Sequence, residues 1–212
     1  KNCVIYSHYD EDNIIRELVI MALKTLVILG YEIIFCTTSK TITNVEIPWK
    51  IHYYENNGPG SDYIMWLDQL KKNQNIFDWI LLLNDSLIFP IHGIENMEKT
   101  INKMRNKSDL WGIWSSLEIT FHYCSAFIEF KYNLKDAIIS FIENKIHDCK
   151  KYNDYVNNIE IKLVEYIKKM GFKTNCVVPI TEVLSKEHNV PKPTAVRCWH
   201  YPSNIILNID NN

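Results

Sequence analysis

At 212 residues, with 47% hydrophobic and 23% charged side chains, the chain is long enough for one sizeable core and has the balance of a globular protein. A formal net charge of −2 excludes the basic footprint of a nucleic-acid binder. The six cysteines are scattered with no C-x-x-C pair, which predicts reduced thiols in a cytoplasmic setting rather than a disulfide framework or a zinc site.

In chain order, "NCVIYSHYD" reads as a first strand. "DEDNIIRELVIMALKTLVILG" follows as a helix, acidic at its start and closed by Gly30. Arg16, Glu17 and Lys24 mark it as a core helix rather than a membrane span. No secretory signal precedes it, and a start at Lys1 instead of Met is read as a piece of a longer protein. "YEIIFCTTS" is a second strand, and "IPWKIHYY" a third, demoted by Pro48. The loop "ENNGPGSDY" leads into the helix "YIMWLDQLKK" and then the apolar strand "FDWILLLNDSLIFP".

In the second half, "IENMEKTINKMRN" is a helix, "SDLWGIWSS" and "HYCSAFIEF" are strands, and "NLKDAIISFIENKI" is a helix. "YNDYVNNIEIKLVEYIKKMG" is a further helix and "FKTNCVVP" a short strand. The Pro-rich tail "VPKPTAVRCWHYPSN" is expected to be ordered, because Trp199 and Tyr201 need something to pack on. With no repeat, linker or low-complexity block, the expectation is one α/β domain. Its central sheet is mainly parallel or mixed and flanked by helices.

Ligands of such sheets bind outside the carboxyl ends of the strands. Three strand ends here are polar, "SHYD", "TTS" and "NDS", and should converge on one edge. Within "NDS", Asp85 is a carboxylate at a strand end, able to hold Mg²⁺ or Mn²⁺ against a diphosphate, since these ions need only one or two carboxylates plus substrate phosphates. The same three residues also make an ordinary turn.

The ordered set "HYDEDNIIRELVIMALKTLVILGYEIIFCTTS", "NNGPGSDYIMWLDQL", "WILLLNDSLIFP", "DLWGIWSSLE" and "HYCSAFIEF" resembles the rhamnan synthesis F family, glycosyltransferases of polysaccharide assembly, over roughly Val4 to Gly171. The resemblance implies a GT-A-like fold with an aspartate motif, usually D-x-D, on a strand end. Here it reads N-D-S, so Asn84 replaces the first acid and Asp85 carries the metal. "EIKLVEYIKKMG" has the shape of an acid-headed helix found in many inverting GT-A enzymes, which implies Glu160 as general base. An acid complementing the helix dipole is the plainer reading of Glu160. Glu118 and Asp109 are the runners-up for the base.

The resemblance also implies His200 as a late metal ligand, although a histidine among aromatics is more often packed or exposed. Ser7, His8, Tyr9 and Thr38, at strand ends, are expected to face the nucleotide, with Tyr9 stacking on the base. Asn57, Gly58 and Asp62 match an "N-x-G-x-D"-like segment lengthened by Pro59-Gly60, whose glycines permit close backbone approach. His122 and Ser125 match an "H-x-x-S" segment and, with Trp111 and Trp114, are expected to line the sugar or acceptor side, core packing being the rival for both tryptophans.

The implied activity moves a sugar, rhamnose or glucose, from a UDP- or dTDP-sugar to a glycan hydroxyl, assisted by Mn²⁺ or Mg²⁺ and with inversion. The alternatives are a non-catalytic carbohydrate-binding module and a sugar-nucleotide nucleotidyltransferase. The chain has no G-x-x-x-x-G-K-[ST], no glycine fingerprint after the first strand and no G-x-S-x-G. That argues against a P-loop hydrolase, a dinucleotide oxidoreductase and a serine hydrolase.

Overall fold

The computed structural model describes residues 1–42, 47–55, 58, 60–87, 93–116 and 120–179. Its first half runs β1 (Asn2–His8), β2 (Ile14–Ile15), α1 (Glu17–Ile28), β3 (Tyr31–Thr37), β4 (Thr41–Ile42), β5 (Ile51–Tyr53), α2 (Ser61–Lys72) and β6 (Trp79–Asn84). The second half runs α3 (Ile94–Arg105), β7 (Leu110–Ser116), β8 (His122–Tyr123), β9 (Phe127–Lys131), α4 (Lys135–Ile146), α5 (Tyr152–Tyr155), α6 (Ile161–Lys169) and β10 (Thr174–Val178).

The main sheet has the order β10-β7-β9-β6-β1-β3-β5, with β8 paired to β7. β1 pairs parallel to both β3 and β6, while β9 is antiparallel to β6 and β7. The sheet is therefore mixed. Its central strands are buried on both faces, as parallel strands between helices must be. Cys3 and Ile5 of β1, with Ile80 and Leu82 of β6, face the layer that holds α2, α4 and α6. Val4 and Tyr6, with Leu81 and Leu83, face the layer of α1 and α3. Each fully buried aliphatic or aromatic side chain contributes roughly 1.5–3 kcal/mol, so both helical layers are firmly held to the sheet.

A buried polar network ties α3 to the sheet. Glu129 of β9 has no exposure, yet accepts hydrogen bonds from Tyr31 Oη at 2.5 Å, Arg105 Nε at 3.0 Å and Trp111 Nε1 at 2.7 Å. A buried carboxylate supplied with several donors is tolerable, whereas removing one donor leaves desolvated charge behind.

Four local expectations are corrected. The helix expected from Asp10 begins only at Glu17, because the Asp10 carboxylate accepts the N–H of Asp12 at 2.9 Å and holds a turn that ends on Asn13 at φ 62°. The third strand shrinks to Ile51–Tyr53, past Pro48. The strand expected across "HYCSAFIEF" is broken. From Gly112 to Ser115, β7 advances three residues while its partner chain spends five, from Ile128 back to Tyr123. The two extra residues form a bulge at Cys124–Ala126, which re-aims its side chains toward the strand ends.

The fourth correction concerns Glu160. It does not head a helix: α5 runs through a π-helical turn, Val156–Glu160, directly into α6. Its N–H is inside the helical run, so complementing an N-terminal dipole no longer explains an acid at this position. π turns inside α-helices recur at functional sites.

Candidate functional site

β1, β3 and β6 run parallel in register, with His8 beside Thr37 and Ser7 beside Asn84. The three polar strand ends therefore converge on one edge. β9, running the other way, begins at the same edge, and the N–H of Asn84 donates to the Ala126 carbonyl at 3.2 Å. That places the His122–Ser125 segment beside the strand ends.

The first acidic centre is Asp85 with Asp62. Asp85 Oδ2 accepts the Tyr9 N–H at 3.0 Å. Burial pushes its carboxyl up to about 6, the Tyr9 N–H opposes this, and the charges of Asp62 and Asp10 add to the rise. Asp62, in the first turn of α2, is likewise raised by burial, against the pull of Ser7 and of Asn84, whose Nδ2 donates to Oδ2 at 3.2 Å. Among the described residues no lysine or arginine pairs with either acid; the basic group within 4 Å of Asp85 there is His8 Nε2, at 3.8 Å. Burial holds His8 down at about 4, so it is neutral near pH 7. Its Nδ1 lies 2.8 Å from Thr37 Oγ1. Two desolvated carboxylates with no lysine or arginine partner among the described residues, both all-oxygen donors, fit a hard divalent cation.

The second centre is Glu160. Its Oε2 accepts Ser125 Oγ at 2.7 Å and Tyr63 Oη at 3.3 Å, while Oε1 stands 3.8 Å from His122 Nε2. Its charge is thus met by neutral hydroxyls, and no lysine or arginine pairs with it among the described residues. The Tyr63 hydroxyl is held well above the ordinary range, first by burial and then by Glu160, so it remains a donor. Asp62 and Tyr63, consecutive in α2, thereby link the two centres. Gly60, at φ 76°, sits under the Tyr155 ring, which stacks on Tyr63 at 6.0 Å.

Rhamnan synthesis protein F is the family that matches, over residues 8–207. The chain belongs to the rhamnan synthesis protein F family. Comparison with curated proteins returns no match. Among solved structures, the chain is similar to 4-diphosphocytidyl-2C-methyl-D-erythritol synthase from Anaerococcus prevotii, 15% identical, covering 97% of this chain and 95% of that one, with a TM-score of 0.49. At that level the likeness adds nothing to the topology already described.

In this member of the rhamnan synthesis F family, the structure gathers Ser7, His8, Tyr9, Asp62, Asn84 and Asp85 at one edge, and His122, Ser125 and Glu160 beside them. Thr38 joins the first group, its N–H donating to the His8 carbonyl at 3.3 Å. Tyr9 is 43% exposed at the rim. Trp111 is not at the site. It is 1% exposed and bonded to Glu129 in the α1/α3 layer, which corrects the expectation that it faces a sugar. Trp114, on the opposite face of β7, is half-buried, and its Nε1 has no partner among the described residues. Asp109 pairs with Lys131 at 2.7 Å, at the far end of β7 from the site. Asn57, Glu118 and His200, and the Pro-rich tail, lie outside the described residues.

Two residues at the site escaped the sequence reading. Tyr63 looked like an ordinary core aromatic of α2, and only its place next to Asp62 hinted at more. Cys124 was counted among scattered thiols, although "HYCS" puts it between His122 and Ser125. None of the described helices is long and apolar enough to cross a membrane.

Proposed function

We propose that this chain is a GT-A-like, single-domain cytoplasmic glycosyltransferase that moves rhamnose or glucose from a UDP- or dTDP-sugar to a glycan hydroxyl, with inversion. Membership of the rhamnan synthesis family supports the substrate class. The carrying observation is the pair of separate acidic centres bridged by the first turn of α2: Asp62 with Asp85 on one side, and Glu160 with its hydroxyl donors on the other.

On this reading the strand-end groups of β1 and β3 hold the nucleotide, and Asp85, with Asp62 and His200, holds Mn²⁺ or Mg²⁺. That cation, when bound, supplies positive charge against the leaving diphosphate. Glu160 accepts the proton of the acceptor hydroxyl as its oxygen attacks the anomeric carbon and the bond to the diphosphate breaks. Ser125 and Tyr63 fix the carboxylate so that one oxygen faces the acceptor. Trp114 and His122 border that side.

The test is calorimetry of UDP- and dTDP-sugars with and without Mn²⁺, on wild type and Asp85→Ala, followed by a transfer assay with glycan acceptors. The expected result is cation-dependent donor binding lost in Asp85→Ala, and turnover that releases the nucleoside diphosphate. Glycan binding without nucleotide binding would favour a carbohydrate-binding module. Release of pyrophosphate from a nucleoside triphosphate and a sugar phosphate would favour a nucleotidyltransferase.

A further inference from the structure

His122, Cys124 and Glu160 each turn one ligand atom toward a common point, and these atoms all lie within 4.8 Å of one another. β8 carries His122, the bulge after it Cys124, and the π turn Glu160. His122 Nδ1 is 2.7 Å from the Thr120 carbonyl oxygen. A carbonyl can only accept, so Nδ1 carries the hydrogen, and in the neutral ring Nε2 presents its lone pair. That lone pair faces Glu160 Oε1 at 3.8 Å, another lone-pair atom. At 3.8 Å the two atoms are beyond direct hydrogen-bond reach, and a cation between them would satisfy both. A backbone carbonyl fixing the distal ring N–H is also the arrangement that metal-binding histidines ordinarily have.

The donor set selects the ion. One imidazole nitrogen, one thiolate sulfur and one carboxylate oxygen are unsuited to Mg²⁺, which takes oxygen, and suit the borderline-soft ions. Three protein ligands leave the fourth corner of a tetrahedron open. With bonds of about 2.0–2.3 Å, tetrahedral ligand atoms sit roughly 3.5 Å apart. The present 4.8 Å spread therefore closes by side-chain rotation of about 1 Å, which the bulged Cys124 segment can supply.

We propose that His122, Cys124 and Glu160 form a binding site for a thiophilic divalent cation of the Zn²⁺ class, separate in place and chemistry from the all-oxygen centre at Asp62 and Asp85. Binding forms a metal–sulfur bond and releases the Cys124 thiol proton to solvent, so affinity falls with falling pH. One consequence rests on the transferase reading: a cation held here occupies the carboxylate that would take the acceptor's proton. The site itself stands without that reading.

The experiment strips the chain with a chelator and titrates it with Co²⁺, followed by absorption spectroscopy, then displaces Co²⁺ with Zn²⁺. The expected result is one equivalent bound, with a sulfur-to-cobalt charge-transfer band and intense tetrahedral visible bands. Cys124→Ser removes the charge-transfer band, and His122→Gln weakens binding at least tenfold. A missing band, or one that persists in Cys124→Ser, overturns the proposal. Should the variants fail to fold, alkylation of Cys124 in the wild-type chain, read on its peptide, decides: Zn²⁺ slows it if the site exists, and an unchanged rate overturns it. Absence of any sugar transfer would overturn the transferase reading and leave these metal readouts untouched.

Discussion

The N–H of Tyr9 donates to the Asp85 carboxylate at 3.0 Å, joining the ends of β1 and β6 across 76 residues. It is an acceptor's arrangement: a backbone dipole steadies the carboxylate, and no lysine or arginine among the described residues pairs with it. Burial, raising the Asp85 carboxyl to about 6, outweighs that single hydrogen bond.

Asp85→Asn follows from this balance. Above pH 6 the folded chain carries an ionised, desolvated carboxylate, whereas the unfolded chain carries the same charge in water with a pKa near 3.8. The cost is full above pH 6 and is relieved as pH falls from 6 toward 3.8. Two units correspond to about 3 kcal/mol at most. The variant should therefore melt higher than wild type at pH 7 and converge with it near pH 4. In the presence of Mn²⁺ the order should narrow or reverse, because only wild type gains by mass action. Melting curves at both pH values with and without Mn²⁺ check this; a lower midpoint for the variant at pH 7 counts against it.

His8 works in the opposite sense. Its folded pKa is held down at about 4, from 6.5, so the neutral ring is favoured only in the folded chain. That contribution is present above pH 6.5 and is lost as pH falls from 6.5 to 4, amounting to roughly 3 kcal/mol at most. His8→Asn, which can keep a contact to Thr37, should flatten the acid limb of stability between those pH values. Denaturant midpoints measured at half-unit pH steps would show an unchanged slope if the ring is not the acid-sensitive group.

The strand ends were readable in advance because a parallel strand between two helical layers must be apolar throughout and can turn polar only where it leaves the sheet. Asn84, Asp85, Ser7 and Thr37 obey that constraint, and their convergence follows from parallel pairing. Glu160 was picked out by a helix-head pattern that the structure replaces with a π turn, since i→i+5 pairing leaves the same residue types and spacing in the sequence. The Cys124 bulge was hidden for a related reason: two surplus residues in an antiparallel register show only against the partner strand. Trp111 and Trp114 were indistinguishable as tryptophans. Only the alternation of β7 between two layers separates the one bonded to Glu129 from the one on the opposite face.

Trp111→Phe tests that separation. It preserves most of the ring volume but removes the N–H that reaches Glu129 at 2.7 Å. Leaving a buried carboxylate short of one donor costs about 1–3 kcal/mol. The expected outcome is a lower denaturation midpoint with donor and acceptor binding unchanged. A selective loss of glycan affinity at unaltered stability would return Trp111 to the ligand.

Gly60→Ala probes how α2 is aimed. A Cβ on Gly60 would come within 2.2 Å of the Tyr155 ring, and φ of 76° is unfavourable for alanine in any case. The strain, about 1–3 kcal/mol, falls on the turn that sets Asp62 and Tyr63. Stability should fall and donor affinity should fall with it, while Gly171→Ala, at φ 87° but with no atom within 4 Å, should lose stability alone. Calorimetry on the two variants separates them; equal donor affinities would detach the α2 turn from the site.

Glu160→Gln addresses the chemistry directly. Glutamine keeps an oxygen for Ser125 and nearly the same shape, so the fold and donor affinity should be preserved. What it lacks is a basic oxygen for the acceptor's proton, and general-base loss typically costs 10²–10⁴ in turnover. Ser125→Ala should cost less, about tenfold, because it frees the carboxylate to rotate without removing it. The informative readout is the order of the two losses: Ser125→Ala should retain a reduced turnover, whereas Glu160→Gln should lose most of it with donor affinity unchanged. If Glu160→Gln retains near-normal turnover, the proton goes elsewhere, and the Ser125–Tyr63–Glu160 cluster is then a structural clamp between α2 and the π turn before α6.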